Sequence, residues 1–153
     1  MKAVTRLGIA AGLALSLCGC HGATTADPDL LSMAGTWTQG GQLRDQVTGD
    51  SHVHFGTFTL TQHGNRFSGT GEQSGLCTTA NANHYTGPLA DPAPFAVTQG
   101  TLTDRTITFQ RDICRYQGTF EAGNNRAVSG TATCTYVLNG VTYNFSGEWQ
   151  AYR

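Results

Sequence analysis

The 153-residue chain carries nine Lys plus Arg against ten Asp plus Glu, and only 12% of it is charged, roughly half the average for soluble proteins. No basic stripe runs through it, which argues against nucleic acid as a partner. Lys2 is the single lysine, so beyond the N-terminus no residue can serve Schiff-base or P-loop chemistry.

The first element in chain order is a leader. Lys2 and Arg6 precede an apolar run from Leu7 to Leu17 broken only by Gly and Ser, the layout of a secretory signal and too short to span a bilayer. Leu17-Cys18-Gly19-Cys20 follows and resembles a bacterial lipobox, with Leu at minus three and Gly at minus one of Cys20. The resemblance implies a lipoprotein signal peptide over 1–19, cleavage before Cys20 and diacylation of its thiol. Cys18 is passed over because bulky Leu17 occupies its minus-one position. His21 stands at plus two, where lipoproteins of the inner membrane carry Asp. The expected location is therefore the outer membrane, facing the periplasm, with a lipid-mediated membrane contact.

Residues 20–32 read as the lipidated cysteine and a polar tether, and 33–153 as one domain with enough length for a core. Without the leader, seven arginines face ten acids, a net charge of −3. In the domain Thr, aromatic and branched residues alternate between turn signals, a period-2 pattern that predicts an all-β fold. The expected strands are 34–40, 53–63, 66–73, 94–103, 106–112, 113–122, 126–138 and 141–152. Asn139-Gly140 is the clearest hairpin turn, since both residues tolerate positive φ. Pairing through it sets Tyr136 opposite Tyr143, Cys134 opposite Phe145, Ala132 opposite Gly147 and Gly130 opposite Trp149, all on one face. The same alternation puts Phe58, Leu60, Phe67, Ile107, Phe109, Tyr116 and Phe120 inside. Eight such strands predict an antiparallel up-and-down barrel. Gly56-Thr57-Phe58 and Gly118-Thr119-Phe120 open a weakly repeated hairpin module, read as barrel grammar rather than a duplicated site.

Gly35-Thr36-Trp37 at the start and Gly147-Glu148-Trp149 to Arg153 at the end resemble the calycin group of lipocalin-like and avidin-like barrels. The resemblance implies closure of one barrel end by Trp37 and Arg153, with Trp149 from the last strand, through a cation–π contact. Avidin-like barrels line a biotin site with several tryptophans, and this chain has two, so biotin binding is not expected.

The connections at 63–66, 103–106 and 122–126 are short and share one end, the floor; those at 41–52 and 74–93 are long and share the other, the mouth. Near the mouth His54, Tyr116, Tyr136 and Tyr143 point inward, amphipathic side chains that either line a small pocket or fill the interior. Cys77, Cys114 and Cys134 remain for one disulfide in an oxidising compartment. Cys77 with Cys114 is the expected pair, with Cys114–Cys134 as the alternative across neighbouring strands. His52 and His54 project to one side of a strand, and Cys77 or His84 would complete a zinc set; incidental histidines at a strand start are the better reading, so no metal and no cofactor are expected.

No Gly-x-Ser-x-Gly elbow, His-Glu-x-x-His helix or Cys–His nucleophile pair is present, and the chain reads as non-catalytic. The function expected is a lipid-anchored envelope lipoprotein whose barrel binds a small amphipathic molecule at its open end. The alternative is an inhibitor or immunity protein blocking a periplasmic hydrolase through the 41–52 and 74–93 loops.

Overall fold

Alternation decides the architecture. Along the last strand Tyr143, Phe145, Trp149 and Ala151 are buried, while Thr142, Asn144, Glu148 and Gln150 face solvent. The computed structural model describes residues 31–78, 87–88, 93–138 and 140–153. Cys20 and the segments 1–19 and 20–30 lie outside the described residues, as does His84.

The strands are β1 Gly35–Asp45, β2 Ser51–His63, β3 Arg66–Thr78, β4 Gly87–Pro88, β5 Ala93–Thr103, β6 Thr106–Arg111, β7 Cys114–Phe120, β8 Ala127–Leu138 and β9 Val141–Tyr152. Apart from two-residue β4, which pairs with β3, each strand is antiparallel to both its neighbours. The order β2-β1-β9-β8-β7-β6-β5-β3 closes through β2–β3 pairing. The fold is therefore a closed, eight-stranded, antiparallel up-and-down barrel. The β8–β9 ladder has the register that its hairpin predicts, Tyr136 opposite Tyr143 through Gly130 opposite Trp149, with Gly140 at φ 78° in the turn.

Trp37, Phe58, Ile107, Tyr116, Phe120 and Val128 are among the most deeply buried side chains, each contributing about 1.5–3 kcal/mol by burial. Paired Gly118 and Gly130 lie beneath the Trp149 indole. A Cβ at Gly118 would stand 2.9 Å from Trp149 Cζ2, and one at Gly130 would meet the Gln117 carbonyl at 1.9 Å. The bare backbone thus leaves room for the ring, whose Nε1 donates to the carbonyls of Gln117 at 3.2 Å and Thr131 at 3.1 Å.

Two connections depart most from the sequence expectation. The 41–52 connection shrinks to 46–50, because β1 continues to Asp45 and β2 begins at Ser51. Asp45 makes this turn: its Oδ1 accepts from the amides of Val47 at 2.9 Å and Thr48 at 2.8 Å, and its Oδ2 from Asn144 N at 2.6 Å. Likewise β3 runs on through Ser74 to Thr78 against β2. The expected inhibitor loops therefore lose 41–45, 51–52 and 74–78 to the barrel wall. Phe55 faces outward because the β1–β2 register passes through Gly56 without a bulge, whereas β5 does bulge, at Gln99 with φ 54°.

At the floor, Arg153 Cζ lies 4.8 Å from the Trp37 ring centroid, and its guanidinium donates to the Ala34 carbonyl. Trp37 Nε1 donates to Met33 O at 2.9 Å, and Phe120 meets the Trp37 ring edge-on at 6.0 Å. Trp149 is not part of this floor, a correction to its expected closing role. It pairs with Gly41, four residues up β1 from Trp37, and packs at mid-barrel.

The disulfide also corrects the expectation. It joins Cys114 to Cys134, so Cys114 is not available to Cys77. The two cysteines are direct partners in the β7–β8 ladder with Cα atoms 4.2 Å apart. Such a close approach marks the narrow type of antiparallel pair, where facing side chains come nearest, and it meets the demand that makes neighbouring-strand bridges rare.

Candidate functional site

Above the Trp149 layer the barrel interior turns polar. The inward alternation of β2 that buries Phe58 and Leu60 also buries His54 and brings His52 partly in. On β6 the series Ile107, Phe109 ends at Arg111, which is only 3% exposed. β7 contributes Tyr116, and β1 contributes Gln39, two places floorward of Trp149's partner Gly41; both are buried. Gln39 and Gln73 flank Gly56 in the ladders of β1, β2 and β3.

The rings are arranged around the cation. Arg111 Cζ is 4.7 Å from the Phe95 ring centroid and 4.9 Å from that of Tyr116. Tyr116 in turn stacks on Phe109 at 4.7 Å with 5° between planes, and Trp149 meets Tyr116 edge-on at 5.4 Å. The His54 ring sits 6.5 Å from Tyr116 and 5.4 Å from His52. Gly41 makes space for it: a Cβ there would come within 2.9 Å of His54 Cε1.

Buried polar groups in folded proteins are almost always paired, and here they are not. Gln39 Nε2, His52 Nε2, both ring nitrogens of His54, Gln73 Oε1, Arg111 Nη1 and Tyr116 Oη have no hydrogen-bond partner among the described residues. An unmade bond of this kind costs about 1–3 kcal/mol, more for a charged group. These atoms lie on inward positions of one barrel, which marks this interior as the candidate site.

The charge state of the site follows from its burial. Desolvation, then the charges of Arg111 and His52, holds His54 down to about 3. Desolvation and Arg111 lower His52 likewise. Burial raises Tyr116 to about 12, against the pull of Arg111. Burial also lowers Arg111 from its usual value, with Tyr116 and Asp112 opposing. At neutral pH the site therefore holds two neutral imidazoles, a neutral phenol and one guanidinium cation, since arginine stays protonated in proteins. A second cation would be repelled, which disfavours a metal on His52 and His54. No group of three His, Cys, Asp or Glu is arranged to hold a metal among the described residues.

Of the residues expected at the mouth, the structure brings His54 and Tyr116 together. Tyr143 is buried nearer the rim and stacks on Phe145 at 6.4 Å. Tyr136 pairs with Tyr143 and Cys77 with His52 through their backbones, but the side chains of Tyr136 and Cys77 lie outside the described set. Sequence reasoning missed Arg111, Gln39 and Gln73. The signal for Arg111 was present, two places beyond Phe109 on the same inward series. An arginine beside the turn residue Asp112 reads as solvent-facing instead. A concavity of about 820 Å³ on the outer surface also touches His54 and Trp149, while Gln42, Val53, Phe55 and Glu148 in its lining face solvent.

No family model matches the chain, and no curated protein matches it. Among solved structures it is similar to the S-type phycobiliprotein lyase CPES from Guillardia theta. The identity is 10% and the TM-score 0.42, over 79% of this chain and 88% of that one. At that level the likeness is one of outline only.

Proposed function

We propose that this is a non-catalytic, lipid-anchored envelope protein whose barrel holds a small amphipathic molecule in its mouth half. The observation that carries the ligand reading is the group of seven buried polar atoms without partners, walled by Phe95, Phe109, Tyr116 and Trp149. A guest with polar and apolar parts satisfies both surfaces. A non-catalytic role is preferred because no serine or cysteine nucleophile accompanies the histidines among the buried residues of the site, and Cys114 and Cys134 are oxidised.

Support for anchoring comes from the leader and from Leu17-Cys18-Gly19-Cys20. The described chain enters the barrel at the floor, where Met33 is fully buried next to Trp37. A tether from Cys20 would then leave the mouth pointing away from the membrane. Intact mass measurement on the full-length gene product, extracted from membranes, tests this part. A mature species starting at diacylated Cys20 supports it, and an unmodified start beyond Cys20 contradicts it.

A further inference from the structure

We propose that the guest is an organic monoanion that enters head first, its carboxylate seated on Arg111 and its apolar body lying toward the mouth. The inference deepens the ligand reading above and rests on it.

Three observations converge. First, Arg111 is a buried cation whose Nη1 has no hydrogen-bond partner among the described residues. Its neighbours are the faces of Phe95 and Tyr116, and the carboxylate whose charge reaches it belongs to Asp112 in the exposed turn that follows. Aromatic faces attract a cation but do not replace its hydration. A buried charge left this way is strongly unfavourable unless something neutralises it.

Second, the other unsatisfied atoms include donors that an oxyanion can use. Gln39 Nε2 can only donate, Tyr116 Oη can donate, and neutral His54, with both ring nitrogens unpartnered, brings one N–H. Together with the guanidinium they suit an oxyanion, while Gln73 Oε1 and the other His54 nitrogen accept from a water or from a hydroxyl on the guest. Guanidinium and carboxylate match as a charge-assisted, fork-shaped pair.

Third, the interior toward the rim carries apolar side chains, with the buried Asp45 carboxylate tied to the amides of Val47, Thr48 and Asn144. Leu43, Phe145, Tyr143 and the Cys114–Cys134 bridge occupy the levels above the cluster. An acid with an apolar tail fits that order of surfaces with its head inward. Arg111 is the one cation among the described residues of the cluster, so a monoanionic head leaves the cluster itself neutral. A phosphate monoester dianion would leave it with an excess negative charge.

The test is calorimetric titration of the full chain in lipid nanodiscs with three probes sharing one tail: 4-phenylbutyrate, 4-phenylbutanol and 4-phenylbutyl phosphate. The acid is expected to bind at least ~10-fold more tightly than the alcohol, the scale of a charge-assisted hydrogen bond. Arg111→Met should abolish that preference, and Arg111→Lys should retain part of it. Far-UV circular dichroism and an intact disulfide report that both variants fold. Equal binding of acid and alcohol, unchanged in Arg111→Met, overturns the anion assignment and leaves the amphipathic-ligand reading standing. Tighter binding of the phosphate than of the acid overturns the monoanion assignment. No binding of any probe, with only ordered water against Arg111 in a crystal structure, overturns both.

Discussion

The Arg111 guanidinium carbon stands 4.9 Å above the Tyr116 ring, and Tyr116 lies parallel to Phe109 4.7 Å away on its own neighbouring strand. A cation is thus held on an aromatic stack inside a barrel, beside a phenol hydroxyl and imidazole nitrogens that have nothing to bond among the described residues. Such an arrangement is poor for stability and good for capture, which gives the first prediction.

Arg111→Met should stabilise the ligand-free barrel. Replacing a buried charge by an apolar side chain of similar volume commonly gains about 1–4 kcal/mol, more than the ~1–2 kcal/mol lost with the cation–π contacts. For a domain of this size that raises Tm by several degrees. Differential scanning calorimetry decides it, and a lower Tm than wild type would show that Arg111 is a structural residue.

Acid should weaken the fold in two stages. His54 is held near 3 in the barrel but takes a proton near 6.5 in an unfolded chain. Between those values the unfolded state binds more protons, so stability falls as pH drops through 6.5, by at most ~1.4 kcal/mol per pH unit for one such group. His52 shifts in the same direction. Asp45 is lowered, chiefly by the Thr48 amide, with the Asn144 and Val47 amides adding and burial opposing. Its contribution is present above its ordinary value of 3.8 and disappears below it. Urea unfolding at pH 7 and pH 4.5 should show a large loss for the wild type and a smaller one for His54→Gln; equal losses would contradict the assignment.

The floor should separate packing from charge. Trp37→Ala empties a fully buried site and should cost about 3–5 kcal/mol. Arg153→Met keeps most of the packing over Trp37 and loses a partly solvated cation–π contact and a hydrogen bond to Ala34, for about 1 kcal/mol. Equal losses in denaturant titrations would mean that the arginine, rather than the indole, holds the floor.

Arg111, Arg115 and Arg126 make the disulfide directly readable. A non-reducing tryptic digest should yield the peptide 112–115 joined to 127–153, with Cys77 in the separate peptide 67–105. A link from 67–105 to 112–115 would restore the Cys77–Cys114 pairing. Reducing the bridge, which spans 20 residues, should lower stability by about 3 kcal/mol.

The sequence was most legible where period and turn agree. The Asn139-Gly140 hairpin fixes the β8–β9 register, and the Thr and aromatic alternation gives eight strands and most of the core. It was less legible where one side chain reorganises its surroundings. Asp45 converts an expected loop into strand by accepting three amides, and nothing in the local period reports that. The cysteine pairing turned on a Cα separation that only the barrel's twist sets. The site was half visible: His54 and Tyr116 follow from alternation, whereas Arg111, Gln39 and Gln73 look like surface residues until the strand count places their faces inward. Charged and amide side chains at inward positions contradict the folding pattern, and that contradiction is what marks them.

The most direct test is native mass spectrometry of the full chain purified gently from the cells that produce it, with collisional ejection of any guest in negative-ion mode. The expected result is a small organic acid bound one to one and lost from Arg111→Met. A guest-free barrel, or a guest retained unchanged by Arg111→Met, would contradict the account.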